Sequence, residues 1–386
     1  MTGQTFLVTG ARAPVALHMA RLLGSAGHRV ILTDALARPL AAATRFASYV
    51  RTPSPRFAPD AFGAAVQEIV AREGVDLIVP TCEEVFHLAR LRDEAGLPLP
   101  VFAPGLDQLA QVHDKHRFIE LCAGLGLPVP ETHLLRGLPD LDAQRARAGD
   151  MVFKPVWSRF AEHVLIRPDP RGLDAITPSP ARPWVAQEYL HGSELCAYAI
   201  AHEGHVGALS AYRALARAGR GAAVAFAPVE DAAVTEFVTR FVEGTGWSGQ
   251  ISFDLMRLAD GSVRPLECNP RATSGLHFFR DGAAFARMLA GAGAPLAPDV
   301  STPQDVRLAL WVYGLPAALG RGDLAAFRAV LRETEDLLDW PDDPGARRAQ
   351  VPAMAEFAML ALRKRISLLG ASTYDIEWNG PDQSAI

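Results

Sequence analysis

The chain has almost no lysine. Of its 38 basic residues only Lys115, Lys154 and Lys364 are lysine, and the rest are arginine. In so arginine-biased a composition, a retained lysine suggests a need for a compact, flexible ammonium. Lys364, inside Arg363-Lys364-Arg365, reads as chance retention. Cysteine is scarce too. Cys82, Cys122, Cys196 and Cys268 lie far apart without metal-ligand spacing, and read as free thiols of a reducing, cytoplasmic protein. No run reaches about 18 uncharged apolar residues, and residues 1–8 lack a basic leader, so neither a membrane span nor a secretory signal is expected. There is no basic block either. The net charge of −5 argues against nucleic acid or an anionic membrane as partner. With 386 residues, 49% hydrophobic and 21% charged, the chain can bury the cores of two or three domains.

What is present begins as β–α–β alternation. Residues 6–9 form a short β run, and a helical pattern follows with Val15, Met19, Leu22 and Leu23 on one face, ending at Gly27. A strand over 29–33, a helix over 61–73 and a strand over 76–79 continue it. Pro80-Thr81-Cys82-Glu83-Glu84 then opens another helix. The pattern predicts an α/β fold with a doubly wound parallel sheet over residues 1–108. The first turn, Gly10-Ala11-Arg12-Ala13-Pro14, lacks GxGxxG, so a dinucleotide site has little support. Ligands of such sheets sit at the carboxyl ends of the strands, which makes Arg12, Glu83 and Glu84 candidate substrate contacts. Solvated helix caps are the plainer role for the two glutamates.

Next, Asp114-Lys115-His116-Arg117-Phe118 opens an amphipathic helix that stops at Gly124-Leu125-Gly126. Met151-Val152-Phe153-Lys154-Pro155 is an apolar strand with a lysine near its end. Residues 184–190 form another strand, then come Gly192-Ser193-Glu194 and a strand over 195–200. Residues 213–223, with Arg213, Arg217, Arg220, Gly219 and Gly221, read as a mobile basic loop. Beyond Pro295 the chain is largely helical, ending in a strand over 374–378.

The richest stretch is 249–271, with β-forming runs at 251–258 and 262–269 around Ala259-Asp260-Gly261. Asp-Gly between such runs marks a hairpin. A two-residue loop puts Asp254 opposite Glu267 and Ser252 opposite Asn269. Asp254, Glu267 and Asn269 then share one face, with Phe253, Leu255, Leu266 and Cys268 on the other. Two carboxylates at roughly 5 Å repel by roughly 3 kcal/mol at an effective dielectric near 20. A divalent cation would remove that repulsion, and Mg²⁺ takes such oxygen ligands. Arg271 is placed to meet an anion beside them. The plainer alternatives are a surface hairpin with one acid protonated or splayed, or an arginine pairing with either. A three-residue loop would break the register.

In this order the motifs resemble those of the ATP-grasp superfamily, the group with biotin carboxylase, carbamoyl-phosphate synthetase and D-alanine–D-alanine ligase, over roughly residues 1–295. The resemblance implies a pre-ATP-grasp domain over 1–108, an α+β ATP-grasp domain over 109–295 (subdomains 109–184 and 185–295) and a helical carboxy-terminal domain over 296–386. It implies that Lys115 and Lys154 neutralise ATP phosphates. Gln187, Glu188 and Leu190 would lie on the strand under adenine, with the backbone of Glu188 and Leu190 reading the base. Glu194 would accept from the ribose hydroxyls. Asp254, Glu267 and Asn269 would bind Mg²⁺, two ions with Mn²⁺ able to substitute, and Arg271 would hold the substrate carboxylate or acyl phosphate. The run from Lys154 to Val164 departs from the pattern in having no glycine, so Ser158 and Arg159 are expected to cover the phosphates instead.

The activity implied is an ATP-dependent ligase joining a small carboxylic acid and an amine, amino acids among them, through an acyl phosphate. Arg213 and Glu83 are further substrate candidates, and a homodimer is compatible with the reading. The alternatives are a bicarbonate-using carboxylase or synthetase, and a non-catalytic nucleotide-binding protein.

Overall fold

The computed structural model describes residues 3–159, 163–219 and 221–380. Residues 160–162, in the run expected to cover phosphates, and Arg220 lie outside the described residues.

Four parallel strands come first: β1 (Thr5–Thr9), β2 (Arg29–Asp34), β3 (Ser48–Arg51) and β4 (Leu77–Pro80), in the order β3-β2-β1-β4. A strand covered on both faces needs a continuous apolar run. Phe6, Leu7 and Val8 of β1 accordingly have no exposed surface. Helix α1 (Pro14–Ser25) has proline in its first turn, and Gly27 beyond its end takes φ +85°. Helices α2 (Pro59–Glu73) and α3 (Glu84–Asp93) complete the unit. The expected elements lie within two residues of these; β3 is an addition, too short and polar to read from the sequence. The chain runs from β1 out to β3, then returns to set β4 on the other side of β1. The switch point of the sheet is therefore between β1 and β4.

Helices α4 (Leu106–His113) and α5 (Lys115–Gly124) lead onward. Asp114 caps α5, its carboxylate accepting from the amides of His116 (2.9 Å) and Arg117 (3.0 Å). A small antiparallel sheet follows, of β5 (Thr132–Leu135), β6 (Met151–Pro155), β7 (Leu165–Ile166) and β8 (Trp184–Glu188), ordered β5-β8-β6-β7. The large sheet contains β9 (Ser193–His202), β10 (His205–Arg217), β11 (Ala223–Val229), β12 (Gly249–Arg257), β13 (Val263–Asn269), β14 (Gln304–Asp305) and β15 (Glu335–Asp336). Its order is β13-β12-β9-β10-β11-β14-β15. One buried cluster runs from Phe6, Val8 and Leu22 through Tyr198 and Phe226 to Phe278, so the first and the large sheet share a core. Helices dominate the chain after β14, the longest being α6 (Gly345–Lys364).

Two expectations need correction. Residues 213–217 are not loop but the end of β10, bulged against β11. The ladder pairs Arg213 with Ala227, Ala214 with Phe226 and Arg217 with Ala223, and Ala218, Val224 and Ala225 pack onto Leu310 and Phe327 of the helical region. Residues 374–378 are not a strand. The amides of Ile376 and Glu377 both turn back onto the carbonyl of Thr373 at 2.9 Å. Their alternation is real but serves two environments. Ile376 and Trp378 are buried, while Asp375 and Glu377 meet arginines.

The β12–β13 hairpin reaches its expected pairing by an unexpected route. Its turn has three loop residues, closed by the Leu258 amide on the Ser262 carbonyl (2.9 Å), with Gly261 at φ +87°. That turn alone displaces the ladder by one, so Leu255 pairs with Pro265. A bulge at Leu266 absorbs the extra residue and returns Asp254 to Glu267 and Ser252 to Asn269. The two offsets cancel. Gly261→Val should lower the unfolding free energy by about 1–2 kcal/mol, the cost of a left-handed residue with a Cβ. An unchanged urea midpoint would contradict the turn.

Candidate functional site

The hairpin, the end of β6 and the start of α5 converge on Glu267. Lys115 Nζ lies 3.5 Å from its Oε2, and Lys154 reaches the same region from β6. Each ammonium is held by neutral acceptors. Lys115 donates to the carbonyls of Ser158 (3.0 Å) and Val156 (3.4 Å). Lys154 donates to Gln187 Oε1 and to the carbonyl of Leu266, both at 3.0 Å. The second carbonyl is the one the bulge frees from the ladder. Burial pulls Lys154 down to about 8, with Lys115 adding to the effect and Glu267 opposing it.

The facing carboxylates behave differently. Burial above all, then the charge of Glu267, pushes Asp254 up from the usual carboxylate range. Burial works on Glu267 in the same sense, but Lys115 and Lys154 outweigh it and hold Glu267 down. Cys196 Sγ donates to Asp254 Oδ1 at 3.1 Å. Asn269 Oδ1 accepts from Arg271 Nη2 at 3.2 Å, and Ser252 Oγ donates to the Arg271 carbonyl at 2.9 Å. Lys115, Lys154, Asp254, Glu267, Asn269 and Arg271 are thus brought together, with more cation than ionised acid. Among the described residues no three His, Cys, Asp or Glu side chains form a metal-binding group. The hairpin offers two carboxylates and one amide oxygen, the hard donors that Mg²⁺ accepts.

No protein-family model and no curated sequence matches the chain. Its structure is similar to that of an N5-carboxyaminoimidazole ribonucleotide synthetase in complex with ADP (TM-score 0.62, 14% identity, 78% of this chain and 82% of that one). It is also similar to the biotin carboxylase domain of Hydrogenobacter thermophilus 2-oxoglutarate carboxylase, in complex with MgADP, ADP and bicarbonate (TM-score 0.60, 13% identity, 76% and 71%). An L-amino acid ligase from Bacillus licheniformis matches with TM-score 0.58 and 16% identity, over 75% of this chain and 76% of that one. The chain shares the fold of these enzymes.

Other candidates occupy separate places in this fold. Gln187, flagged for its strand, acts through its side chain: Oε1 receives Lys154 and Nε2 donates to Thr132 Oγ1 at 3.3 Å. The Glu188 amide is taken by the Glu131 carbonyl (2.8 Å), and its carboxylate lies 3.6 Å from Arg264. Leu190 is buried just beyond β8. Glu194, half exposed, pairs with Arg217 of β10, while Arg213 is exposed on the same strand.

Arg159 and Glu83 are engaged with each other. Arg159 Nε donates to both Glu83 oxygens at 2.5 Å, and Nη1 donates to Glu377 Oε2 at 2.9 Å. Arg12 is forked between Asp34 and Asp375. Glu84 accepts from Thr9 Oγ1 (2.7 Å) and the amides of Thr81 and Cys82 (both 3.0 Å), knitting β1 to β4. The Leu266 carbonyl carries no signal in the sequence, because a bulge leaves no mark on residue type, and the Cys196 thiol carries none because its partner Asp254 lies on another strand.

Glu83 yields a pH prediction. Burial disfavours its charge, yet Arg159, then His113 and Arg271, bring it from 4.5 to about 2. A depressed acid stabilises the fold fully above its unfolded value and loses that contribution as pH falls toward the folded one. Glu83→Gln should therefore cost roughly 3 kcal/mol at pH 7. Its deficit against the parent should narrow between pH 4.5 and 2. Equal deficits at pH 7 and about pH 3 in urea unfolding would show that the charge is not what holds Arg159.

Proposed function

We propose that the chain is an ATP-dependent carboxylate–amine ligase that forms an amide through an acyl phosphate and releases ADP and phosphate. The observation that carries this reading is the gathering of Lys115 and Lys154 around the Asp254/Glu267 pair, with Arg271 on the amide oxygen of Asn269 in the same strand. A sheltered surplus of positive charge suits a phosphate chain. ADP and MgADP in solved structures of the same fold support a nucleotide there. The amino acid ligase among them supports a carboxylic acid as co-substrate.

In this mechanism Lys115 and Lys154 hold the phosphate oxygens of ATP and draw charge from them as the γ-phosphoryl group transfers. Arg271 orients the substrate carboxylate. One of its oxygens attacks the γ-phosphorus, the bond to the bridging oxygen breaks, and ADP leaves with the electron pair. The amine lone pair then attacks the acyl carbon, and phosphate departs with the amine's proton. Positioning and charge stabilisation carry the catalysis. Asp254, Glu267 and Asn269 fit a divalent cation, which when bound neutralises charge on the phosphoryl oxygens. Glu194 and the backbone of Glu188 and Leu190 are the proposed ribose and base contacts. Arg159 and Glu83 are given no part, since they bind each other almost wholly out of solvent, whereas the Glu194–Arg217 pair is open to it.

A bicarbonate-using enzyme is the second reading, favoured by the neighbour that holds bicarbonate beside MgADP. The deciding assay is ADP release over a panel of amino acids and small carboxylates, with hydroxylamine added to trap an acyl phosphate as hydroxamate. One ADP and one phosphate per amide are expected. AMP and pyrophosphate would overturn the ligase chemistry, and ADP release dependent on bicarbonate alone would select the second reading. Arg271→Ala should lower kcat/KM for the acid by roughly 10²-fold or more and leave ATP affinity nearly unchanged. Lost ATP binding with normal turnover at saturating ATP would instead place Arg271 on the nucleotide.

A further inference from the structure

At the switch point between β1 and β4, where open sheets of this kind receive their ligands, the chain has seated its own carboxy-terminal segment. Arg12, after β1, donates to the Asp375 carboxylate and to the Ser372 carbonyl, each at 3.1 Å. Glu83, after β4, accepts from the Trp378 amide at 3.0 Å. The Trp378 side chain is buried. It lies flat on Phe86 with ring centroids 4.5 Å apart and meets Trp157 edge-on at 5.2 Å. A buried indole with charge-assisted bonds on both sides is a lasting attachment.

From this seat a line of contacts runs to Lys115. Arg159 donates to Glu377 Oε2 (2.9 Å), Asn379 Oδ1 (2.8 Å) and the Trp378 carbonyl (2.5 Å). On the other side of Ser158, Trp157 is covered by Gly380. That glycine has φ +102°, and a Cβ on it would stand 3.0 Å from the indole nitrogen. The segment therefore grips both neighbours of Ser158, whose carbonyl receives Lys115 Nζ at 3.0 Å. Without that carbonyl Lys115 would keep only the longer contacts to the Val156 carbonyl (3.4 Å) and Glu267 (3.5 Å), and a charge acts on a bound group only where it is held.

We propose that Glu377 and Trp378 are positioning residues for Lys115, and through it for the phosphates of a bound nucleotide; this rests on the nucleotide reading above. The segment fills the crevice of the first sheet and at the same time aims a lysine of the second site.

The test is direct titration of the full chain with magnesium ADP, by calorimetry and without turnover. Trp378→Leu should weaken binding about tenfold, while Trp378→Phe, which keeps the stacked ring, should stay within about twofold of the parent. In a Lys115→Met background Trp378→Leu should change affinity by less than about twofold, because the positioned group is gone. A folded Trp378→Leu that binds like the parent, or that loses equally in both backgrounds, overturns the proposal. If Trp378→Leu does not fold, Glu377→Gln decides: about threefold or greater loss, absent in the Lys115→Met background, supports it, and unchanged affinity overturns it. Failure of the unaltered chain to bind magnesium ADP would overturn the nucleotide reading and this inference together. Binding by the parent with indifference to the tail overturns the inference alone.

Discussion

Two ammonium groups share one carboxylate in the folded chain, and much of the surrounding architecture keeps them there. Lys115 begins a helix, Lys154 ends a strand of the small sheet, and Glu267 belongs to a hairpin of the large one. The acceptors that steady the ammoniums are carbonyl and amide oxygens, which orient a charge without cancelling it. A second carboxylate on each lysine would steady it too, but would leave nothing for a ligand. Dipoles hold the lysines, and most of their charge stays available.

The arginine bias takes on a meaning in this setting. Arg12, Arg21, Arg56 and Arg159 each pair with carboxylates that lie far away in sequence, and Arg21, paired with Asp343, has no exposed surface. A planar guanidinium can satisfy several acceptors at once inside a low-dielectric seam, which an ammonium does poorly. Arginine therefore fastens the parts of the molecule together, and lysine is kept for the point where a single charge has to be aimed. Even Lys364 has a contact, its Nζ lying 5.3 Å from the Tyr374 ring centre, although nothing ties it to the site.

Much of this was legible from residue types. The parallel sheet follows from its apolar runs, α5 from the Asp114 cap, and a hairpin from Asp-Gly between β-forming runs, although its carboxylates face each other only because a bulge offsets a turn one residue longer than expected. Gathering Lys115 and Lys154 at one place came from the order of motifs. What could not be read was long-range or carried by the backbone. The Arg159–Glu83 pair joins residues 76 positions apart, and the Arg159–Glu377 contact spans 218. No local pattern anticipates either. The strand expected at 374–378 failed because its alternation was set by arginines elsewhere in the fold, and the loop expected at 213–223 failed over 213–217 because the arginines there and the glycines beyond them carry no mark of the pairing with β11.

The hairpin tip has a last consequence. With three residues at the corner, the even-numbered residues of β12 turn their backbone groups toward β13, as Leu258 does toward Ser262. The odd-numbered ones are left for the unbroken ladder with β9 over Gly249–Arg257. A two-residue corner would reverse that assignment and ask the same groups to bond on both sides. The longer turn and its bulge let the acidic pair and the β9 ladder coexist, and the bulged residue gives its carbonyl to Lys154.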